Sequence, residues 1–157
     1  MRNNFGGIKI RLARKNDSKD VFEWRNDELT RQMSHNSEIT EWENHNEWFL
    51  NSLELKDRLL LVCEDSLNNK ISIIRFDISE LNAVISVNIN PTQRSKNLAK
   101  PCLIKSIDFF SDKYSEINKL FAEIKEDNIA SQKTFISVGF KKFNIENNIG
   151  FFQKSLI

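Results

Sequence analysis

Residues 93–101 (QRSKNLAKP) form the segment of this sequence with the clearest potential to bind an anion. The segment carries three cations, Arg94, Lys96 and Lys100, with no acidic residue and no glycine. It lies between a stretch that alternates like a β-strand and a stretch with helical spacing. Unpaired backbone N–H groups and the positive end of a helix dipole meet at such a junction, which suits a phosphate. The segment is therefore either a phosphate-binding loop or a solvated turn.

The missing glycine bears on that choice. Loops that direct successive N–H groups at an anion often need a residue with positive φ, which is usually glycine. Asn97 belongs to one of the few other residue types that tolerate positive φ. If the loop holds a phosphate, Asn97 is predicted to adopt a positive φ.

The bulk composition narrows the class of protein. With 157 residues, 39% hydrophobic and 29% charged, the sequence predicts one soluble globular domain over residues 1–157. A formal net charge of +1 argues against a nucleic-acid partner. No apolar run has the length of a signal peptide core or a membrane span, so we expect a cytoplasmic protein without a membrane partner. Cys63 and Cys102 stand far from any second Cys or His at metal spacing, and we expect two buried thiols, with no disulfide and no metal site.

The hydrophobic pattern predicts the elements that must position the loop. Strands are predicted at 8–14, 59–63, 71–78, 83–90, 120–124, 140–143 and 150–155, and helices at 18–29, 40–53, 98–112 and 129–138. Thr40 and Glu43 suggest a capping box for the second helix, and Gly139 a left-handed stop for the last. The order predicts an α/β (α+β) fold with a mixed, mostly antiparallel central sheet of about seven strands. Helices cover both faces, and one strand–helix–strand unit pairs in parallel.

Two segments together resemble a known superfamily. RSKNLA, at 94–99, resembles the acyl-coenzyme A pyrophosphate loop of the GNAT acetyltransferases, R/Q-x-x-G-x-G/A, with Asn97 where the family has its first Gly. NIASQKTFISVGF, at 128–140, is similar to the family's later segment, N-x-x-A/S-x-x-x-Y/F-x-x-x-G-F. The element order is similar as well, so the resemblance covers essentially the whole chain and implies a GNAT-like fold.

The resemblance implies acetyl-coenzyme A as the acetyl donor, a small amine as the second substrate and no metal. The pantetheine arm would lie in a gap between the strands at 84–90 and 119–125, because an extended amide chain can pair with an open strand edge. An N–H group near Asn88 could polarise the thioester. The implied cofactor-binding residues are Val87, Asn88, Ile89, Arg94, Ser95, Lys96, Asn97, Leu98, Ala99, Asn128, Ser131 and Phe135.

A narrower resemblance concerns the amino-terminal half. WRND at 24–27, ENHNEWF at 43–49 and LLLVCED at 59–65 are similar to the branch that acetylates amino groups of nucleotide-linked sugars, including the N-acetyltransferase of pseudaminic acid synthesis. This implies an amino-sugar acceptor in surface-glycan synthesis. Acetylation of a protein amino terminus and a non-catalytic acyl-coenzyme A-binding module are the alternatives. The sequence leaves a homodimer open.

Proton transfer is the least determined part of the predicted reaction. Phe135 stands where many relatives have a Tyr that protonates the leaving sulfur, and Tyr114 is expected to pack. A coenzyme A thiol, with a pKa of about 8.5 like that of cysteine, can still leave as a thiolate. Val84 stands where branch relatives often have a Glu base.

The remaining candidates for the base are His45, Asp77 and Glu126. His45 could instead pack or cap its helix, Asp77 could pair with Arg75 or Lys70, and Glu126 could be an acid at the start of a helix. Trp24, Arg25 and Trp48 could form the acceptor wall through stacking and anion pairing, although both tryptophans could be ordinary core residues.

Overall fold

A computed structural model describes residues 7–157 as a seven-stranded sheet covered by helices. The strands are β1 (Lys9–Leu12), β2 (Arg58–Glu64), β3 (Lys70–Ser79), β4 (Asn82–Ile89), β5 (Lys119–Lys125), β6 (Lys141–Glu146) and β7 (Ile149–Ser155). The helices are α1 (Ser18–Asn26), α2 (Glu28–Met33), α3 (Trp42–Glu54), α4 (Ala99–Lys113) and α5 (Ile129–Ser137). The sheet order is β1-β2-β3-β4-β5-β7-β6, and only β4 and β5 pair in parallel. The predicted fold class is confirmed.

The helix predictions need two corrections. The expected helix at 18–29 is broken after Asn26, because Asp27 leaves helical geometry and its carboxylate accepts a hydrogen bond from the Thr30 N–H (3.1 Å), which starts α2. Thr40 does not cap the next helix: α3 begins at Trp42, and the Thr40 N–H and carbonyl are bonded to the Asn26 side chain instead. The hydrogen bonds between Thr40 and the distant Asn26 therefore replace the local cap that the sequence predicted.

The sheet opens in its middle. β4 and β5 pair only from Asn82–Lys119 to Val84–Phe121, although β4 continues to Ile89 and β5 to Lys125. Beyond that point the two strands have separate neighbours, β3 on one side and β7 on the other. The unpaired edge of β4 therefore borders a gap in the sheet, as the resemblance to the GNAT acetyltransferases implies.

Each face of the sheet has its own apolar core. On one face α4 packs against residues such as Phe76, which stacks on Phe110 with ring centroids 4.2 Å apart. On the other face Phe49 and Trp24, from α3 and α1, pack against Leu60 and neighbouring residues. The continuous apolar run of β2 is explained by this arrangement, since its successive side chains enter opposite cores.

The two cysteines form a disulfide between β2 and the first turn of α4, with 6.0 Å between the Cα atoms of Cys63 and Cys102. Both residues are fully buried. The expectation of buried thiols without a disulfide was therefore wrong. The cysteines stand 39 positions apart in sequence, and the segment between them carries no local signal that β2 and α4 meet; that contact comes only from the packing of α4 on the sheet.

A buried ionic network fixes the start of α1. The Arg11 guanidinium donates to both oxygens of Asp17 (2.8 and 2.9 Å), and Lys70 Nζ lies 2.7 Å from Asp17 Oδ1. Burial alone would raise the pKa of the Asp17 carboxyl, but the hydrogen bonds from Arg11 and Lys70 hold it well below its usual range.

None of the helices in residues 7–157 is long and apolar enough to cross a membrane.

Candidate active site

Two cavities open along the gap in the sheet. The loop cleft, about 490 Å³, lies between β4, the loop that precedes α4, and α5. The arginine cavity, about 360 Å³, lies between β4, α1, α3 and the segment that follows α2. The two cavities share lining residues from α2, the residue after it and β4: Thr30, Met33, Ser34, Val87 and Asn88. They therefore meet at the unpaired edge of β4.

The loop cleft is lined by nearly all the residues that the sequence assigned to coenzyme A. Those lining it are Val87, Asn88, Ile89, Arg94, Ser95, Asn97, Leu98, Ala99, Asn128, Ser131 and Phe135. Lys96 does not line it; its ammonium lies 3.3 Å from the Gln93 side-chain oxygen on the exposed surface. The structure thus brings together residues from β4, the loop, α4 and α5 that lie up to 48 positions apart in sequence.

The loop before α4 has the backbone geometry of an anion-binding segment. Asn97 has a φ of +57°, as predicted, and Ser95 also has a positive φ, of +62°. α4 begins directly afterwards, and no side chain caps its first turn. Positive φ values that alternate with ordinary ones turn successive N–H groups to one side. The glycine-free segment therefore forms a concave loop at a helix N-terminus.

Arg94 connects the loop cleft to α2. Its guanidinium donates to the Asp27 carboxylate and to Thr30 Oγ1 (2.9 Å). The hydrogen bond from Arg94 is the main reason that the pKa of Asp27 lies below its ordinary value. The side chain of Arg94 therefore holds the loop against the wall that the two cavities share.

The α5 side of the loop cleft is formed by a helix cap and a packed ring. Asn128 Oδ1 accepts from the Ser131 N–H (3.1 Å) and so caps α5. Phe135 is buried and meets Phe140 edge to face, with ring centroids 5.1 Å apart. Tyr114 packs on Phe110 at the far end of α4, outside both cavities. Among residues 7–157, no tyrosine hydroxyl lies at the cleft.

The arginine cavity is built from side chains of several elements. Arg25 comes from α1, Trp48 from α3 and Arg75 from β3. The Arg25 guanidinium carbon lies 5.4 Å from the centroid of the Trp48 ring. Burial lowers the pKa of Arg25, and the nearby charge of Arg75 lowers it further. Of the three predicted acceptor-wall residues, Arg25 and Trp48 line this cavity.

Trp24 does not line it. Only 6% of the Trp24 surface is exposed, and its ring packs in the core between α1, α3 and the sheet. α1 thus directs Arg25 into the cavity and the adjacent Trp24 into the core. Helical geometry places successive side chains about 100° apart, so the two neighbours could not share a wall.

The three predicted bases all lie outside the cavities. His45 is fully buried: its Nε2 lies 2.9 Å from the Ser18 carbonyl oxygen, and its Nδ1 lies 3.2 Å from the Arg25 guanidinium. An Nε2–H that donates to Ser18 and an Nδ1 that accepts from Arg25 describe a neutral ring, and burial lowers the pKa of His45. Both nitrogens are engaged, so this geometry suits packing rather than proton transfer with an acceptor.

The two predicted carboxylates are held in ion pairs. Asp77 Oδ1 accepts from Arg58 Nε (2.6 Å), and its Oδ2 lies 2.9 Å from Arg75 Nε. Glu126 lies 2.5 Å from Lys142 Nζ on the neighbouring hairpin. Asp77 therefore pairs with Arg75, which was its sequence-based alternative, and also with Arg58, which the sequence did not suggest. For Glu126 the sequence suggested an acid at a helix start, and the structure shows its pair with Lys142.

Glu123 is an acid at the cavity that sequence reasoning missed. It lines the arginine cavity, and its Oε1 lies 3.6 Å from His35 Nε2. Glu123 stands on β5 two residues beyond Phe121, the last residue paired with β4, and so directly on the opening gap. The alternation of buried Leu120, Ala122 and Ile124 with the other residues of β5 could have placed it there.

The described residues that line the two cavities offer separate side chains and backbone groups, not a cluster of metal ligands. Within the described part of the chain, no three His, Cys, Asp or Glu side chains are grouped so that they could hold a metal ion.

Comparison with known proteins identifies the architecture. Residues 8–141 match the sequence profile described as acetyltransferase (GNAT) domain. No curated protein sequence matches the chain. Among solved structures, the chain is similar to a spermidine N-acetyltransferase from Vibrio cholerae in complex with CoA and spermine, with a TM-score of 0.83 at 14% identity over 95% of each chain.

Two further structures have slightly higher identity. A domain from Methanocaldococcus jannaschii gives a TM-score of 0.79 at 23% identity, over 95% of this chain and 98% of that one. A proposed phosphinothricin N-acetyltransferase gives 0.79 at 22%, over 96% and 99%. At these identities the likeness concerns the fold, while the family profile covers most of the sequence. The chain therefore belongs to the acetyltransferase (GNAT) domain family, whose members transfer acetyl groups.

Proposed function

We propose that this protein transfers the acetyl group of acetyl-coenzyme A to the primary amine of a small acceptor bound in the arginine cavity. The observation that carries the proposal is the meeting of the loop cleft and the arginine cavity at Val87 and Asn88. Donor and acceptor could therefore approach each other at the open edge of β4. Bringing two reactants together in one geometry supplies a large part of the rate of such a transfer.

The donor side fits coenzyme A through the backbone. Beyond Val84, β4 has no partner on its β5 side, and an extended pantetheine arm could pair there as an added strand. The concave loop with its positive φ at Ser95 and Asn97 suits the pyrophosphate, next to the uncapped first turn of α4. Acetyl-coenzyme A itself supplies an activated acetyl thioester. The residues' part is to hold the carbonyl carbon of that group where the two cavities meet.

On the acceptor side, Glu123 is the residue that we assign to proton removal. Glu123 lines the arginine cavity, and its Oε1 lies 3.6 Å from the imidazole Nε2 of His35. In the transfer a bond forms between the amine nitrogen and the acetyl carbon, the bond from that carbon to sulfur breaks, and the nitrogen loses a proton to Glu123. A positioned general base of this kind contributes about 10²- to 10⁴-fold.

The sulfur leaves without a side-chain acid. Phe135 occupies the place that a tyrosine has in many relatives, and its ring is packed against Phe140. A thiol with a pKa of about 8.5 departs as a thiolate, which the amides of the loop cleft can stabilise. For an acceptor that enters as the neutral amine, the proton that its nitrogen loses to Glu123 is thus the one proton the protein has to accept.

For the acceptor we propose an amino group of a nucleotide-linked sugar. Trp48 offers an aromatic surface for a sugar or base ring, and Arg25 a cation beside it. The resemblance of residues 24–27, 43–49 and 59–65 to the sugar-nucleotide branch supports the same acceptor. Spermine and phosphinothricin, named for two of the similar structures, are the competing acceptors to include in an assay.

The test combines binding with turnover. We expect acetyl-coenzyme A to raise the melting temperature of the protein, and thiol release to follow when a nucleotide-linked amino sugar is added. A panel with spermidine, phosphinothricin and a peptide with a free amino terminus compares the acceptor classes. No stabilisation by acetyl-coenzyme A would refute the proposal. Stabilisation without turnover on any amine would instead indicate an acyl-coenzyme A-binding module.

A further inference from the structure

Three guanidinium groups surround the ring of Trp48. The ζ carbons of Arg25, Arg58 and Arg75 lie 5.4, 5.5 and 5.6 Å from the centroid of that ring. They come from α1, β2 and β3, so the cluster joins one helix to two adjacent strands. Arg25, Arg75 and Trp48 all line the arginine cavity. Such convergence of like charges from three separate elements needs a physical explanation.

The cluster carries more positive than negative charge. Within residues 7–157, Asp77 is the one carboxylate found within 4.0 Å of any of the three guanidiniums, and it pairs with Arg58 and Arg75. Arg25 is bonded instead to the neutral ring of His45. Glu38 and Glu123 also line the cavity, but Glu123 contacts His35 on the β5 wall. Within 4.0 Å, the three guanidiniums of the cluster therefore share the single described carboxylate of Asp77, while Glu38 and Glu123 lie elsewhere in the cavity lining.

This imbalance costs free energy unless an anion joins the cluster. Like charges repel one another, and water screens the repulsion only in part at these half-buried guanidiniums. The buried Nε–H of Arg75 has no aligned acceptor, although Asp77 lies close to it. An oxyanion placed between Arg25 and Arg75 would satisfy this donor and balance the local charge.

We infer that the arginine cavity contains an oxyanion subsite, in which Arg25 and Arg75 bind a phosphate or carboxylate group of the acceptor above the ring of Trp48. Guanidinium groups suit this role because their planar donors match the geometry of both oxyanions. The inference rests on the proposed transfer to an amine and narrows its acceptor to amines that carry a negative charge. Polyamines, which carry only positive charge, would be rejected by the same residues.

The first test compares matched amines on the wild-type protein, so it does not depend on a variant that folds. Glucosamine 1-phosphate and glucosamine differ by one phosphate, and glycine and glycinamide differ by one carboxylate. We expect the anionic member of at least one pair to have a kcat/KM that is about 10- to 100-fold higher, mainly through KM. The pair with the larger ratio identifies the oxyanion. Equal kcat/KM values within both pairs would overturn the subsite.

The second test has a readout that needs no turnover. Inorganic phosphate is titrated into protein saturated with coenzyme A, which occupies the loop cleft, and tryptophan fluorescence reports on Trp48. We expect a saturable change that is lost in Arg25→Gln and Trp48→Phe and kept in Arg14→Gln, whose arginine is exposed and lies outside both cavities. Arg75→Gln serves in place of Arg25→Gln if that variant unfolds.

The two tests separate the subsite from the proposed function. If phosphate binds as expected but no amine is acetylated, the subsite stands and the proposed function fails. If amines are acetylated without preference for an anion and phosphate does not bind to the coenzyme A-saturated protein, the subsite is refuted while the transfer stands. Phosphate binding that persists in both Arg25→Gln and Arg75→Gln would also refute it.

Discussion

The loop cleft and the arginine cavity meet at the same strand edge, but they are built in opposite ways. The loop cleft consists largely of backbone shape: an unpaired stretch of β4, two residues with positive φ, and the first turn of α4. Its one guanidinium, that of Arg94, is already bonded to Asp27. The arginine cavity is instead distinguished by charged and aromatic side chains in its lining, which come from α1, α3, β3, β5 and the segment after α2.

The contrast indicates which substrate each cavity can specify. Backbone N–H groups bind any ligand with the right phosphate and amide spacing, so the loop cleft can serve a donor that is common to a whole family. Side chains change by single substitutions, so the arginine cavity can change its acceptor while the fold stays the same. Substitutions in the two cavities should therefore have separable effects on donor binding and on acceptor use.

The largest expected effect is at Glu123. In Glu123→Gln the side chain keeps its size but cannot take up the proton of the amine. We expect kcat to fall by about 10²- to 10⁴-fold while the affinity for acetyl-coenzyme A is unchanged. Steady-state kinetics and a thermal-shift titration measure the two quantities.

Glu126→Gln is the matched control. Glu126 is the next acid along the chain, but it pairs with Lys142 and lies outside both cavities. We expect its kcat to be that of the wild type. Equal losses in the two variants, or a fully active Glu123→Gln, would contradict the assignment of Glu123.

Asp77→Asn tests the charge imbalance of the arginine cavity. Removal of the carboxylate that balances Arg58 and Arg75 should lower the free energy of unfolding by about 1 kcal/mol, because two ion pairs are lost and both are partly exposed. The same change should strengthen the binding of inorganic phosphate, because the cluster then lacks its own anion. Chemical denaturation and a fluorescence titration measure the two effects.

A loss of stability together with a gain in phosphate affinity would identify Asp77 as an anion that competes with the ligand for the arginines. Asp20→Asn is the control, because Asp20 pairs with Lys70 at a more exposed site away from both cavities. It should cause a smaller loss of stability and no change in phosphate affinity. Weaker phosphate binding in Asp77→Asn would show that Asp77 orients the arginines rather than competing with the ligand.

Asn97→Val tests the backbone shape of the loop cleft. A β-branched side chain at a φ of +57° costs about 1–2 kcal/mol, so the loop should leave this conformation and the affinity for acetyl-coenzyme A should fall by about 5- to 30-fold. Asn97→Gly should bind at least as well as the wild type. Asn68→Val is the control: Asn68 also has a positive φ, but in a turn distant from the cleft. Acceptor KM should be unchanged in all three.

The predictability of the two cavities follows from the same contrast. For the loop cleft, local signals predicted a strand, a polar loop, a helix start and the positive φ of Asn97, although not that of Ser95. The choice of a coenzyme A loop over a solvated turn came from the resemblance of residues 94–99 and 128–140 to the GNAT family. The acceptor side could not be predicted in this way. The roles of His45, Trp24 and Glu123 depend on how their helices and strands are oriented relative to neighbouring elements. The sequence places His45 on an apolar helix stripe whether it acts as a base or only packs. Its contacts with Ser18 and Arg25, which engage both ring nitrogens, are visible only in the structure. The Cys63–Cys102 disulfide escaped prediction for the same reason.

The smallest expected effect is at the ion pair that joins the cavities. Arg94 lowers the pKa of Asp27, so the pair contributes stability that is present above the ordinary carboxyl value of 3.8 and is lost as the pH falls below it. Asp27→Asn should remove this pH dependence at a cost of less than about 1 kcal/mol, since the pair is partly exposed and screened by salt. Denaturant unfolding at pH 3 to 6 measures this pH dependence, with Asp127→Asn as the control, because Asp127 is an exposed carboxylate outside both cavities.

If Asp27→Asn also weakens acetyl-coenzyme A binding at pH 6, the ion pair holds the loop in shape. Arg94 would then be the exception to the contrast between the two cavities, because a side chain would help to shape the donor site that is otherwise formed by the backbone.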